Sequence, residues 1–135
     1  MRTFVDANIF IRLFVAQDDH SQVARSEELL KRADEGEIDL ITGPPVLFEI
    51  AWTLSHRYKI ADAKILEVLE AILSFPNLKV TDRDLVVKAI YLAKEKGCGY
   101  ADSYIAASAE YVKADNVATF NAKHFRKLGT PLLHF

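Results

Sequence analysis

The strongest constraint on this chain is an alternation of short and long apolar patterns. Runs of strand length occur at 2–5, Ile38–Ile41, Leu78–Val80 and Asn116–Phe120. Between them, apolar residues recur at helical spacing. Examples are Ile65, Val68, Leu69, Ile72 and Leu73, and then Leu85, Val86, Ala89, Ile90, Leu92 and Ala93. Strands that alternate with helices point to a parallel sheet with helices on both faces. The punctuation agrees. Asp19-His-Ser-Gln22 reads as the opening of a helix over about 20–35, which Gly36 stops. Pro45 suits the first turn of a helix reaching about Tyr58. Shorter helices are predicted at 8–15 and 61–74. The helix over 82–96 ends at Gly97-Cys-Gly99, and an Ala-rich helix follows over 101–114. Asn121–Lys127 reads as a short helix or turn, and Pro131–Phe135 as a possible last strand. The predicted architecture is a three-layer α/β/α sandwich with a central parallel sheet of four to five short strands.

At 135 residues the chain is expected to be one domain, 1–135. The longest unbroken apolar run is Ala89–Ala93, far short of the roughly 20 residues of a membrane span. Only Thr3–Val5 separates Arg2 from Asp6, too little for the apolar region of a signal peptide. The single cysteine, Cys98, has no internal disulfide partner, which fits a reducing compartment. A cytoplasmic location and no membrane partner are therefore expected. The net charge is 17 − 19 = −2, with a pI near 6.1. A protein living by non-specific phosphate contacts would usually be basic. Any nucleic-acid chemistry here must rest on a local site.

In open α/β sheets, ligands bind beyond the carboxyl ends of the strands, so the polar residues that follow each strand matter most. Three carboxylates occupy unusual places. Asp6 follows Phe4-Val5 directly. Glu49 interrupts the apolar sequence Val46-Leu47-Phe48 and Ile50-Ala51-Trp52, beside an apolar helical stripe. Asp102 opens the Ala-rich helix among small neighbours. Singly, Asp6 and Asp102 read as helix caps and Glu49 as a boundary residue reaching solvent. Together they can converge on one edge of the sheet. Three converging carboxylates repel one another and call for a cation. Hard oxygen donors select Mg²⁺ or Mn²⁺, and such a site suits phosphodiester hydrolysis. Spacing alone does not establish the convergence.

Four strings occur in order along the chain. They are Val5-Asp6-Ala7-Asn8-Ile9-Phe10, Pro45-Val46-Leu47-Phe48-Glu49-Ile50, Ala101-Asp102-Ser103-Tyr104-Ile105-Ala106-Ala107 and Thr119-Phe120-Asn121-Ala122-Lys123-His124-Phe125. Together they resemble the PIN domain, in particular the small VapC-like toxins of type II toxin–antitoxin modules, over essentially the whole length. The resemblance implies a Rossmann-like fold and a Mg²⁺- or Mn²⁺-dependent ribonuclease. It carries the family's acids onto Asp6, Glu49 and Asp102 as catalytic and metal-binding residues, with Asn8, Thr119 and Asn121 in support. Where the family often has a further Asp, this chain has Asn121. That lowers the maximum charge of the pocket from −4 to −3 and should weaken a second metal. One firm metal is expected, with a second arriving alongside the substrate phosphate. The partners implied are RNA and a cognate antitoxin whose tail covers the pocket. The expected assembly is a homodimer.

Other residues carry weaker signals. Arg57 and Lys59, with Trp52 one to two turns earlier, could contact RNA phosphates and stack a base, and Lys123 lies in a second basic cluster with Arg126 and Lys127. A solvated face is the competing reading for both clusters. The four histidines show no metal-ligand spacing, and His124 reads as a turn or packing residue. Cys98 reads as a small buried side chain. The alternatives are an RNA-processing nuclease without a toxin role, and a catalytically weak PIN domain that binds RNA or protein. A haloacid-dehalogenase-type phosphatase would need a second Asp at Asn8. A receiver domain would need paired acids where Asp6-Ala7-Asn8 stands.

Overall fold

A first strand, β1 (Arg2–Phe4), runs into Asp6, which caps the helix that follows. The computed structural model describes residues 1–135. After β1 come α1 (Ala7–Phe14), α2 (His20–Asp34), β2 (Asp39–Thr42), α3 (Pro44–His56), α4 (Asp62–Leu73), β3 (Leu78–Val80), α5 (Arg83–Lys96), α6 (Tyr100–Tyr111) and α7 (Ala122–Leu128). The local signals act where the sequence places them. Asp19 Oδ1 accepts the Gln22 N–H at 3.0 Å and opens α2. Pro44, one residue before the expected Pro45, takes the first position of α3. Gly97 ends α5 at φ +64°, a left-handed conformation suited to glycine.

β2 lies between β1 and β3, parallel to both, with Phe4 opposite Ile41 and Ile41 opposite Lys79. The carboxyl ends of all three strands therefore share one edge. Pairing continues past the strands: Val5 N–H donates to Ile41 O at 2.8 Å and Thr81 N–H to Thr42 O at 2.9 Å. The buried Thr42 hydroxyl donates to Val5 O at 3.1 Å. Gly43 belongs to this crowded edge, because a Cβ there would collide with Thr81 Oγ1.

A cluster of 25 buried residues joins the sheet to its helices, with Phe10, Leu47, Ile50, Leu54, Leu69, Ile72 and Val86 at its centre. Each such side chain contributes about 1.5–3 kcal/mol by leaving water. A separate cluster of Cys98, Ala106, Phe125 and Leu128 seats α7 against α6, and Leu92 packs against both clusters. Cys98 is buried, as expected.

The α/β class holds, but the sheet has three strands instead of four to five. The expected strands at Asn116–Phe120 and Pro131–Phe135 reduce to one parallel bridge, Val117 to Leu132. Beyond it, Phe120 and Phe135 pack on each other, ring centroids 5.4 Å apart, and both are exposed. Two short segments that find only each other leave most of their backbone groups to solvent, and no ladder extends. No helix is long and apolar enough to cross a membrane.

Candidate active site

Asp6 stands where β1 turns into α1. Its exposed side chain accepts the Ala7 N–H through Oδ1 at 2.7 Å. The capping role expected of a lone aspartate is therefore real, and it leaves Oδ2 without a protein partner. Asn8 follows in the first turn of α1, also exposed.

Glu49 lies in the second turn of α3 and is exposed. Its expected place beside an apolar stripe is only half realised. Of its neighbours at helical spacing, Val46 is buried and Thr53 half-buried, but Pro45 and Trp52 are exposed. Glu49 accepts no hydrogen bond and joins no ion pair. The adjacent Phe48 docks α3 on α6, packing on Tyr100 at 5.4 Å and on Tyr104 at 4.8 Å between ring centroids.

Asp102 lies in the first turn of α6, the helix that α3 packs against. It is not the cap, because Gly99 holds that position and α6 has no side-chain cap. Its neighbours are small: Ser103 and Ala106 are both buried. Asp102 Oδ2 sits 2.7 Å from His124 Nδ1, and Asn121 Nδ2 lies 2.9 Å from the same nitrogen. Thr119 Oγ1 accepts the Asn121 N–H at 2.9 Å, which sets the turn into α7.

This contact corrects the reading of His124 as a turn or packing residue. Its side chain is 53% exposed and touches the carboxylate of Asp102, itself 26% exposed. The sequence held one signal for it. Asn121 and His124 are three residues apart at the start of a helix, so they share a face. The hydrogen positions follow from chemistry. An ionised carboxylate only accepts, so Nδ1–H donates to Asp102. Nδ1 cannot then also accept from Asn121, whose amide must present its oxygen instead.

None of the three carboxylates is neutralised by a Lys or Arg. The side-chain ion pairs of the chain involve other acids, and Asp102 has only His124. Asp6 Oδ2, Asp102 Oδ1 and both Glu49 oxygens are free of protein donors. Hard, unpaired carboxylate oxygens suit Mg²⁺ or Mn²⁺ by chemistry. The expected convergence is a different matter. No three His, Cys, Asp or Glu side chains are gathered closely enough to hold one ion. The structure brings Asp102, Asn121 and His124 together, and does not draw Asp6 and Glu49 into a tight set with them.

The basic candidates are exposed. Arg57 lies over the Tyr58 ring at 5.5 Å, Lys59 takes a left-handed backbone at φ +56°, and Lys123 makes no ion pair. Lys127, from the same cluster as Lys123, donates to Gly97 O at 3.0 Å.

Comparison with known families bears on the arrangement. The family model described as PIN domain matches residues 3–130. No curated protein is similar enough to match the chain.

Proposed function

This chain belongs to the PIN domain family, whose members are generally nucleases that need metal ions, and we propose that it is a Mg²⁺- or Mn²⁺-dependent endoribonuclease. The observation that carries the proposal is the set of three acids, Asp6, Glu49 and Asp102, which hold free oxygens and have no Lys or Arg partner. Free, hard carboxylate oxygens suit a divalent cation by chemistry, and binding one would draw these side chains closer than they stand here.

In this reading Asp6, through the free Oδ2, and Asp102, through the free Oδ1, would hold the ion. When bound, such an ion polarises the phosphate and lowers the pKa of water. Glu49 would ligate it or orient the attacking water. Asn8, Thr119 and Asn121 orient water and phosphate. Water attacks phosphorus in line, and the bond from phosphorus to the 3′ oxygen breaks. The products are a 5′-phosphate and a 3′-hydroxyl. His124 contacts Asp102 through Oδ2 and leaves Oδ1 free to bind. Arg57, Lys59 and Lys123 serve as phosphate contacts along the bound strand.

The finer reading is a toxin of a type II pair, acting as a homodimer and restrained by a cognate antitoxin protein. Growth arrest on expression, relieved by the product of a neighbouring gene, would support it. A nuclease that leaves growth unchanged is an RNA-processing enzyme instead.

The test is cleavage of total RNA by the purified protein in Mg²⁺, Mn²⁺ or EDTA, beside Asp6→Asn, with product ends mapped. Cuts that need metal, leave 5′-phosphates and vanish in the variant are the expected result. Cuts that persist in EDTA and leave cyclic phosphates overturn the mechanism. One observation favours a second reading: residue 121 is an amide and spends its side chain on His124. RNA binding without cleavage at saturating Mn²⁺ would make this a binding domain.

A further inference from the structure

Beside the acidic edge lies a cleft of about 290 Å³ between α3, the start of α4 and the first turn of α6. Its walls include Phe48, Trp52, His56 and Tyr100, with Ser55 and Asp62 among the polar residues lining it. Trp52, the sole tryptophan of the chain, is 61% exposed. Its indole stacks on the His56 ring at 4.6 Å and 13°, and His56 Nδ1 lies 3.0 Å from Trp52 O. The inner wall is fixed by the packing of Phe48 on Tyr100.

We propose that this cleft receives one nucleobase of the RNA, stacked on Trp52. The inference rests on the ribonuclease reading and names where that substrate is gripped. Three observations favour a base over other occupants. Four of the lining side chains are flat rings, and the largest of them, the Trp52 indole, is still 61% exposed with His56 stacked on it. The volume lies at the lower limit of small-molecule pockets, so it suits a single ring system and not a folded segment of protein. The position also fits: Trp52 stands three residues beyond Glu49 on the same helix, so the two share a face of α3. A strand whose base sits on Trp52 therefore runs along the face of α3 that carries Glu49. Arg57, exposed and without a carboxylate partner, follows at the end of α3 to meet the backbone. Ser55 and Asp62 offer a donor and an acceptor to the edge of the base. Stacking itself tolerates any base, so what preference exists comes from these two.

The lone tryptophan makes the test direct. An Asp6→Asn background keeps the RNA uncut. In it, the indole fluorescence is titrated with a single-stranded decaribonucleotide and with its abasic counterpart. The affinity of a fluorescein-labelled copy is read by anisotropy with residue 52 as Trp, Phe or Ala. Because Trp52 is exposed, neither change should unfold the chain. The expected result is saturable quenching by the RNA and little by the abasic strand. Trp52→Ala should weaken binding roughly tenfold, and Trp52→Phe should recover most of it. Equal quenching by the abasic strand, or unchanged affinity in Trp52→Ala, overturns the proposal. The two readings fail separately. Base-dependent quenching without cleavage by the wild-type chain keeps the cleft and removes the nuclease. Metal-dependent cleavage with unaltered binding in Trp52→Ala does the reverse.

Discussion

Replacing His124 is the sharpest probe of the acidic site, because its contact with Asp102 was not expected from the sequence. The 2.7 Å separation is that of a strong bond to a charged acceptor. Bonds to charged groups contribute about 1.5–3 kcal/mol when well shielded. Here the two side chains are 53% and 26% exposed, so solvent screening reduces the effect on folding to about 1 kcal/mol or less. On the metal-nuclease reading, the larger effect belongs to metal binding. Hydrogen bonds that orient a ligating carboxylate change affinity by about 10- to 100-fold. Partial exposure points to the lower end, about tenfold, or roughly 1.4 kcal/mol. His124→Ala should therefore weaken Mn²⁺ binding about tenfold, read by electron paramagnetic resonance of the free ion, with little loss in urea stability. The identity of the nitrogen gives a second control. An Asn amide nitrogen falls near the position of Nδ1, whereas that of Gln falls near Nε2. His124→Asn should restore most of the affinity and His124→Gln should not. Unchanged Mn²⁺ affinity in His124→Ala, or equal rescue by Gln and Asn, would refute an orienting role for Nδ1.

Two further predictions concern the framework around the site. Tyr100 is buried, and its hydroxyl is the one buried side-chain polar atom without a hydrogen-bond partner. Burial, with a smaller contribution from Tyr104, pushes its ionisation well above the ordinary value of 10.0. The folded chain thus favours the neutral phenol. That preference is fully present below pH 10 and becomes a loss of stability as pH rises through and beyond it. Tyr100→Phe should stabilise the chain by about 1 kcal/mol at pH 7 and flatten the decline between pH 10 and 11 in urea titrations. Gly43→Ala should destabilise by about 1–3 kcal/mol, because the new Cβ meets Thr81 Oγ1. An unchanged urea midpoint would show that the strand edge yields at no cost.

The legible part of the fold is the part set by local chemistry. The α4 and α5 stripes, the Asp19 cap and the Gly97 stop depend on residues within a few positions of each other, and all formed as read. The expected outer strands did not. Asn116–Phe120 and Pro131–Phe135 have the composition of strands, but a strand also needs a neighbour, and apolar patterning does not say whether one arrives. The site divides in the same way. Asp6 at a strand end and Glu49 on a helix could be placed from sequence. That Asp102 sits beneath an imidazole from a segment some twenty residues later could not, because this depends on how α7 packs on α6.

That packing has a consequence for how the two halves of the site behave. Asp6 and Glu49 stand on elements of the main core, β1 with α1 and α3, whose residues Val5, Ala7, Leu47 and Ile50 are almost fully buried. His124 and Asn121 stand on or just before α7, which is held by Phe125 and Leu128 in a separate cluster of four. Regions with few buried contacts open at lower free energy than the whole fold. Opening of α7 is therefore expected to cost less than opening of the strand and helices that carry Asp6 and Glu49. Asp102 stays with α6, whose Tyr100 and Ala107 belong to the main core. On the nuclease reading, release of α7 would free the Asp102 oxygen that His124 occupies. The proposed orienting group thus rides on a helix held by two buried side chains, and Asp6 and Glu49 on elements of the main core.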